Sequence, residues 1–97
     1  MDIQIRANHF KSSDYLNLYI KEKMRKIESL YQQIVSIDVS LKLENNGQIR
    51  DKIVEAKVDI PGSVIVSKSV AKTFEEAVND CTKKIKRNLI RTKAKSA

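Results

Sequence analysis

Tryptophan is absent from this chain, cysteine, histidine and proline occur once each, and there are only two glycines. A single cysteine cannot close an internal disulfide, which suits a reducing compartment. A histidine-based triad would have to use His9, which falls in a strand-to-helix segment. No Cys/His cluster has zinc-ligand spacing, so no metal is expected. The glycines belong to Asn46-Gly47 and Pro61-Gly62, which read as turns, so there is no Gly-rich loop to cradle a phosphate. No apolar run approaches the roughly 18–20 residues of a membrane span, and Met1 to Phe10 lacks a signal-peptide pattern. The expectation is a cytoplasmic protein that is not an enzyme, with no cofactor, small-molecule substrate or membrane partner. Cys81 falls on the apolar stripe of a helix, where a free cysteine is usually a small buried hydrophobe.

What the chain has in excess is positive charge. Its 97 residues carry 19 Lys and Arg against 12 Asp and Glu, a net charge of +7. The length allows one small domain with one core. A hydrophobic fraction of 41% is enough for that core to form. An excess of cations on this scale points to a polyanion, nucleic acid before an anionic membrane surface.

The charge is concentrated near the end. Thr73 to Lys95 reads as the last helix, with Thr73 and Glu76 spaced as a capping box. Phe74, Val78, Cys81, Ile85 and Leu89 recur at helical steps and form its apolar face. The remaining faces carry Lys83, Lys84, Lys86, Arg87, Arg91, Lys93 and Lys95 with no acid among them. Lys84, Arg87 and Arg91 form one stripe beside the buried face. Two or three late lysines would only complement the helix dipole. Seven bases repel one another at these spacings, and a surface that tolerates the repulsion is one that meets an anion.

Upstream, Met1 to Asn8 alternates as a short strand with Ile3 and Ile5 on one side. Ser13 is the expected N-cap of a first helix over Asp14 to Gln32. Its apolar stripe is Leu16, Ile20, Met24, Ile27 and Tyr31. Lys23 and Lys26 flank that stripe with Tyr19 and Leu30, while Lys21 and Arg25 flank it on the other side. Tyr15, Tyr19 and Tyr31 are read as packing residues, although Tyr15 and Tyr19 also suit a place at the edge of a basic groove, stacked on a base.

Ile34 to Leu43 alternates strictly, with Val35, Ile37, Val39, Leu41 and Leu43 on one face. Glu44 to Asp51 reads as a polar loop, and Lys52 to Ile60 as the next strand. Ile60-Pro61-Gly62-Ser63 is a type II turn, and Val64 to Ala71 is the last strand. There Ile65, Ser67, Ser69 and Ala71 are expected to face the helices, leaving Val64, Val66, Lys68 and Val70 on the open side. The order is β-α-β-β-β-α. The expected fold is α+β: a two-layer sandwich of a four-stranded mixed sheet with two helices on one face, as in double-stranded RNA-binding domains (dsRBD-like). Residues 1–97 form one domain in this reading. Its two helices are neighbours, and their groove is expected to bring Lys23 and Lys26 near Lys84, Arg87 and Arg91, a platform for phosphates.

In these residues the chain resembles the ribosome hibernation promoting factor and ribosome-associated inhibitor A family, over essentially its whole length. The likeness rests on the helix start at Ser13, Lys23-x-x-Lys26-Ile27-Glu28, Glu55-Ala56-x-Val58, and Ala77-Val78 followed by Lys84-Ile85-x-Arg87-Asn88-Leu89-x-Arg91. The last of these is similar to the family's Lys-Leu-x-Arg-Gln-Leu-x-Lys. The chain departs from the family at Thr73-Phe74-Glu75, where Asp-Met-Tyr is usual, and it looks like a short form without the domain that dimerises ribosomes. The resemblance implies binding to the small (30S) ribosomal subunit through the 16S rRNA backbone, in 70S or 100S ribosomes of cells that have stopped growing. The bound protein would occupy the tRNA and mRNA sites. The resemblance assigns rRNA contact to Lys23, Lys26, Lys84, Arg87 and Arg91, supported by Lys83, Lys86, Lys93 and Lys95.

Two other functions fit parts of the pattern. One is a generic double-stranded RNA-binding module that reads RNA shape. The other is a small ferredoxin-like enzyme of the acylphosphatase type, which would want a strand after the last helix and a phosphate-cradling loop. Arg91 to Ala97 offers no such strand.

Overall fold

A computed structural model describes residues 2–8, 11–46 and 49–95, with the side chains of 44–50 and 93–95 excepted. His9, Gly47 of the expected Asn46-Gly47 turn, and the side chains of Lys93 and Lys95 therefore lie outside the described residues. The elements are β1 (Asp2–Ala7), α1 (Asp14–Leu30), β2 (Ser36–Asn46), β3 (Ile49–Ile60), β4 (Ser63–Ala71) and α2 (Phe74–Lys95). This is the expected β-α-β-β-β-α order.

The sheet runs β1-β2-β3-β4, with β1 and β2 parallel and the other two pairings antiparallel. A parallel pair cannot be joined by a tight turn, and α1 supplies the crossover. The register carries one face across all four strands. Ile3 pairs with Ile37, Ile37 with Val58, and Val58 with Ile65. Ile5 pairs with Val39, Val39 with Ala56, and Ala56 with Ser67. These residues are buried in β2, β3 and β4 and half-buried in edge strand β1. Both helices cover this face. Leu16, Ile20, Met24 and Ile27 of α1 and Ala77, Val78, Cys81, Ile85 and Leu89 of α2 join the strands in one core. Burying each large aliphatic side chain there contributes about 1.5–3 kcal/mol before conformational entropy is subtracted.

On the last strand the side chains divide as expected. Ile65, Ser67 and Ser69 are buried under α2, whereas Val64, Val66 and Val70 are each more than half exposed on the open face. The serines let α2 approach closely, and their polar atoms are partnered. Ser69 Oγ donates to Asp80 Oδ2 at 2.8 Å, and the Cys81 thiol lies 3.4 Å from the Ser67 carbonyl.

Local signals account for the ends. Ser13 caps α1, its Oγ accepting from the Leu16 N–H at 3.1 Å. Thr73 Oγ1 accepts from the Glu76 N–H at 3.2 Å at the start of α2. Gly62 has φ of 80°, the left-handed value that the type II turn requires.

Three expectations change. The stretch from Glu44 to Asp51 is not a loop throughout, because β2 continues to Asn46 and β3 begins at Ile49, with Asn46 paired to Ile49. Backbone hydrogen bonding extends the ladder past the last covered apolar position, so Leu43 is exposed although its alternation matches the core. Val35 likewise precedes the strand and is exposed. Helix α1 ends at Leu30 rather than Gln32, because Tyr31 turns extended at φ −144° while its N–H bonds the Glu28 carbonyl.

Among the described residues no helix is long and apolar enough to cross a membrane. Nor does any group of three or more His, Cys, Asp and Glu gather as metal ligands among them.

Candidate nucleic-acid interface

The topology sets the direction of the two helices. Strands β1, β2 and β4 point the same way, α1 returns from β1 and α2 returns from β4, so α1 and α2 run parallel. Their shared groove has a volume of about 340 Å³ and is lined by Lys23, Lys26, Asn79, Thr82, Lys83 and Lys86. Four cations stand in it, and no carboxylate is among the described residues that line it. Lys26 and Lys83 are exposed, Lys23 and Lys86 half-buried.

Two helices therefore contribute to one basic surface, but not with the full set expected. Lys23 and Lys26 meet Lys83 and Lys86. Lys84, Arg87 and Arg91 lie on the opposite flank of α2, in a second cleft along β4 that is also lined by Val66, Ser67, Lys68 and Asn88. The physical reason is angular. Successive residues on a helix are about 100° apart, so Lys84 and Lys86 straddle the buried Ile85 on opposite sides. Which side meets α1 is a matter of sheet order.

Lys84 also differs from its neighbours. Its Nζ donates to the Lys68 carbonyl at 2.9 Å and pairs with Asp80 Oδ2 at 3.2 Å. The hydrogen bond from Ser69, and after it the one from Lys84, holds the Asp80 carboxyl below its ordinary value of 3.8. Lys84 thus fastens α2 to the edge strand, and its charge is paired with an acid one turn away. Arg87 and Arg91 are exposed on that flank.

Aromatic groups extend the α1 side. Tyr19 Oη donates to Asn79 Oδ1 at 2.8 Å, and Lys23 Nζ lies 5.5 Å from the Tyr19 ring centroid. Tyr15 stacks on Tyr19, with centroids 6.3 Å apart and planes inclined at 28°. Tyr19 packs half-buried against the core, as does Tyr31. Tyr15 does not pack as expected; it is 67% exposed. Sequence reasoning also passed over Asn79 and Thr82. The available signal was their step of three or four from Lys83 and Lys86, one continuous flank of α2.

Cys81 lies in the core, and burial pushes its thiol up from the ordinary value of 9.0, keeping it neutral. It contributes packing rather than a nucleophile.

Residues 3–97 match the family described as Sigma 54 modulation protein / S30EA ribosomal protein. The chain belongs to that family. Members that it resembles include the ribosome hibernation promoting factor of Pseudomonas putida, 28% identical over 95 residues, or 98% of this chain and 89% of the relative. The ribosome hibernation promoting factor of Azotobacter vinelandii is 26% identical, covering 98% of this chain and 85% of that one. Among solved structures, a ribosomal subunit interface protein from Coxiella burnetii superposes with a TM-score of 0.85 at 26% identity, over 97% of this chain and 99% of the other. The N-terminal domain of Thermus thermophilus Protein Y shares the fold at a TM-score of 0.75 and 17% identity, over 95% and 99% of the two chains. These solved structures thus share the β-α-β-β-β-α sandwich of this chain.

Proposed function

We propose that this chain is a ribosome hibernation factor: residues 1–97 act as one ribosome-binding domain that holds the small subunit through 16S rRNA phosphates and excludes tRNA and mRNA by bulk. Membership of the S30EA family and the names of its relatives support the ribosomal role. The observation that carries the mechanism is the meeting of Lys23 and Lys26 with Lys83 and Lys86 in a groove with no acid among the described residues that line it. Bases set on two packed helices are held at fixed spacing, and they neutralise phosphates without reading base edges. Arg87 and Arg91 extend the contact to the other flank of α2. Lys93 and Lys95 add charge beyond them, whereas Lys84, engaged with Asp80 and the Lys68 carbonyl, serves as an anchor of α2 to β4.

Each phosphate contact releases condensed counterion, so affinity falls steeply with salt. The test is co-sedimentation with 30S and 70S particles through a sucrose gradient, with free duplex RNA as competitor. Wild-type protein is expected to migrate with the particles in the presence of the duplex, and Lys83→Glu/Lys86→Glu protein to remain at the top. Undiminished comigration of the double variant would remove this groove from the mechanism. Displacement by equal amounts of duplex RNA would favour a generic double-stranded RNA binder.

A further inference from the structure

The stacked tyrosines lie beside the basic groove and take no part in neutralising phosphate. We propose that Tyr15, supported by Tyr19, is a stacking platform for an unpaired RNA base, so that the groove receives a single-stranded or looped segment rather than a continuous duplex. This rests on the reading of the groove as a phosphate site.

Four observations converge on it. Tyr15 is 67% exposed, so its ring is not consumed by the core. It is held in place, because it stacks at 6.3 Å on Tyr19, whose hydroxyl is fixed to Asn79 on the neighbouring helix. A ring positioned before binding loses little conformational freedom when a base lands on it. Lys23 is adjacent, 5.5 Å from the Tyr19 ring, and it lines the groove that continues through Lys26, Lys83 and Lys86. The run from Tyr15 to Lys26 covers about 16 Å of helix axis at about 1.5 Å per residue, long enough for a base at one end and backbone phosphates along the rest.

The distinction between unpaired and duplex RNA follows from which surfaces are free. In a duplex the base faces are covered by their neighbours, and a protein reaches only backbone and groove edges. An unpaired base offers its π-face, and aromatic side chains take it with little preference for sequence. An exposed tyrosine leading into a row of lysines is complementary to the second kind of ligand.

The chain contains no tryptophan, so Tyr15→Trp places a single indole at the platform. Its emission is expected to be quenched by a short unstructured oligoribonucleotide and unaffected by inorganic polyphosphate, which brings charge without bases. Tyr15→Ala is expected to weaken oligoribonucleotide binding roughly tenfold. It should leave polyphosphate binding and the salt slope unchanged. Tyr15→Phe, which keeps the ring, should retain wild-type affinity. Unquenched indole emission, or wild-type oligoribonucleotide affinity in Tyr15→Ala, overturns the platform. If Lys83→Glu/Lys86→Glu then still abolishes binding, the phosphate groove survives and only the platform fails. If that variant binds both the oligoribonucleotide and polyphosphate like wild type, the groove reading itself is wrong.

Discussion

Tyr19 Oη donates a 2.8 Å hydrogen bond to Asn79 Oδ1, tying the second turn of the first helix to the second turn of the last across 60 residues of sequence. Because the helices are parallel, that one pairing steps forward in the same sense on both, and Lys23 and Lys26 come to face Lys83 and Lys86. The register of the basic groove is thus set at its neutral end, away from the repulsion between its cations. Replacing Tyr19 by Phe keeps the ring and its stack on Tyr15 but removes the bond, leaving the Asn79 amide oxygen without its donor. A loss of about 1 kcal/mol in urea unfolding is expected, with an unchanged denaturant slope.

The two flanks of α2 should separate in their salt dependence. Removing one phosphate contact flattens the logarithmic slope of ribosome affinity against salt by about 0.7 to 0.9. Lys83→Gln and Lys86→Gln are each expected to show that change. Lys84→Gln is expected to leave the slope nearly unaltered and to lower stability slightly, since Lys84 is engaged with Asp80 and the β4 backbone. Equal slope changes for Lys84 and Lys86 would contradict the anchoring role.

Asp80 gives the fold an acid dependence whose sign is determined. Ser69 and then Lys84 lower its folded-state pKa below 3.8. The folded state therefore prefers the charged carboxylate, and the contribution is present above that pH and lost as pH falls below it. In Asp80→Asn protein, the stability deficit relative to wild type should be constant near neutrality and shrink below pH 3.8. Paired denaturation curves across the acid range provide the check.

Gly62 isolates a backbone effect. A Cβ placed there meets nothing within 4 Å, so Gly62→Ala costs only the left-handed conformation. The expected loss is about 1–2 kcal/mol, read as a shift in unfolding midpoint without a change in ribosome affinity.

Much of this molecule is written locally. Alternation over Ile37, Val39 and Leu41 and over Val54, Ala56 and Val58 assigns each strand its covered face, because successive strand side chains point to opposite sides. The helical steps from Phe74 to Leu89, the Ser13 cap and the Pro61-Gly62 turn are short-range signals of the same kind. Together they make the two-layer fold legible from residues alone, and the charge excess late in α2 is the sequence feature on which the proposal of a polyanion partner rests. Where the pattern is silent, sequence fails: the β2–β3 ladder runs through Glu44 and Asp51 because backbone pairs there without an apolar face to announce it.

The composition of the site belongs to tertiary structure. A helix presents two flanks beside its buried stripe, and nothing within Lys83 to Arg91 says which flank meets a neighbour. That choice falls to the strand order β1-β2-β3-β4, which places α1 against the side of Lys83 and Lys86 and leaves Lys84, Arg87 and Arg91 to β4. Which bases converge in one groove is a long-range outcome of packing, whereas their number and sign are properties of the chain.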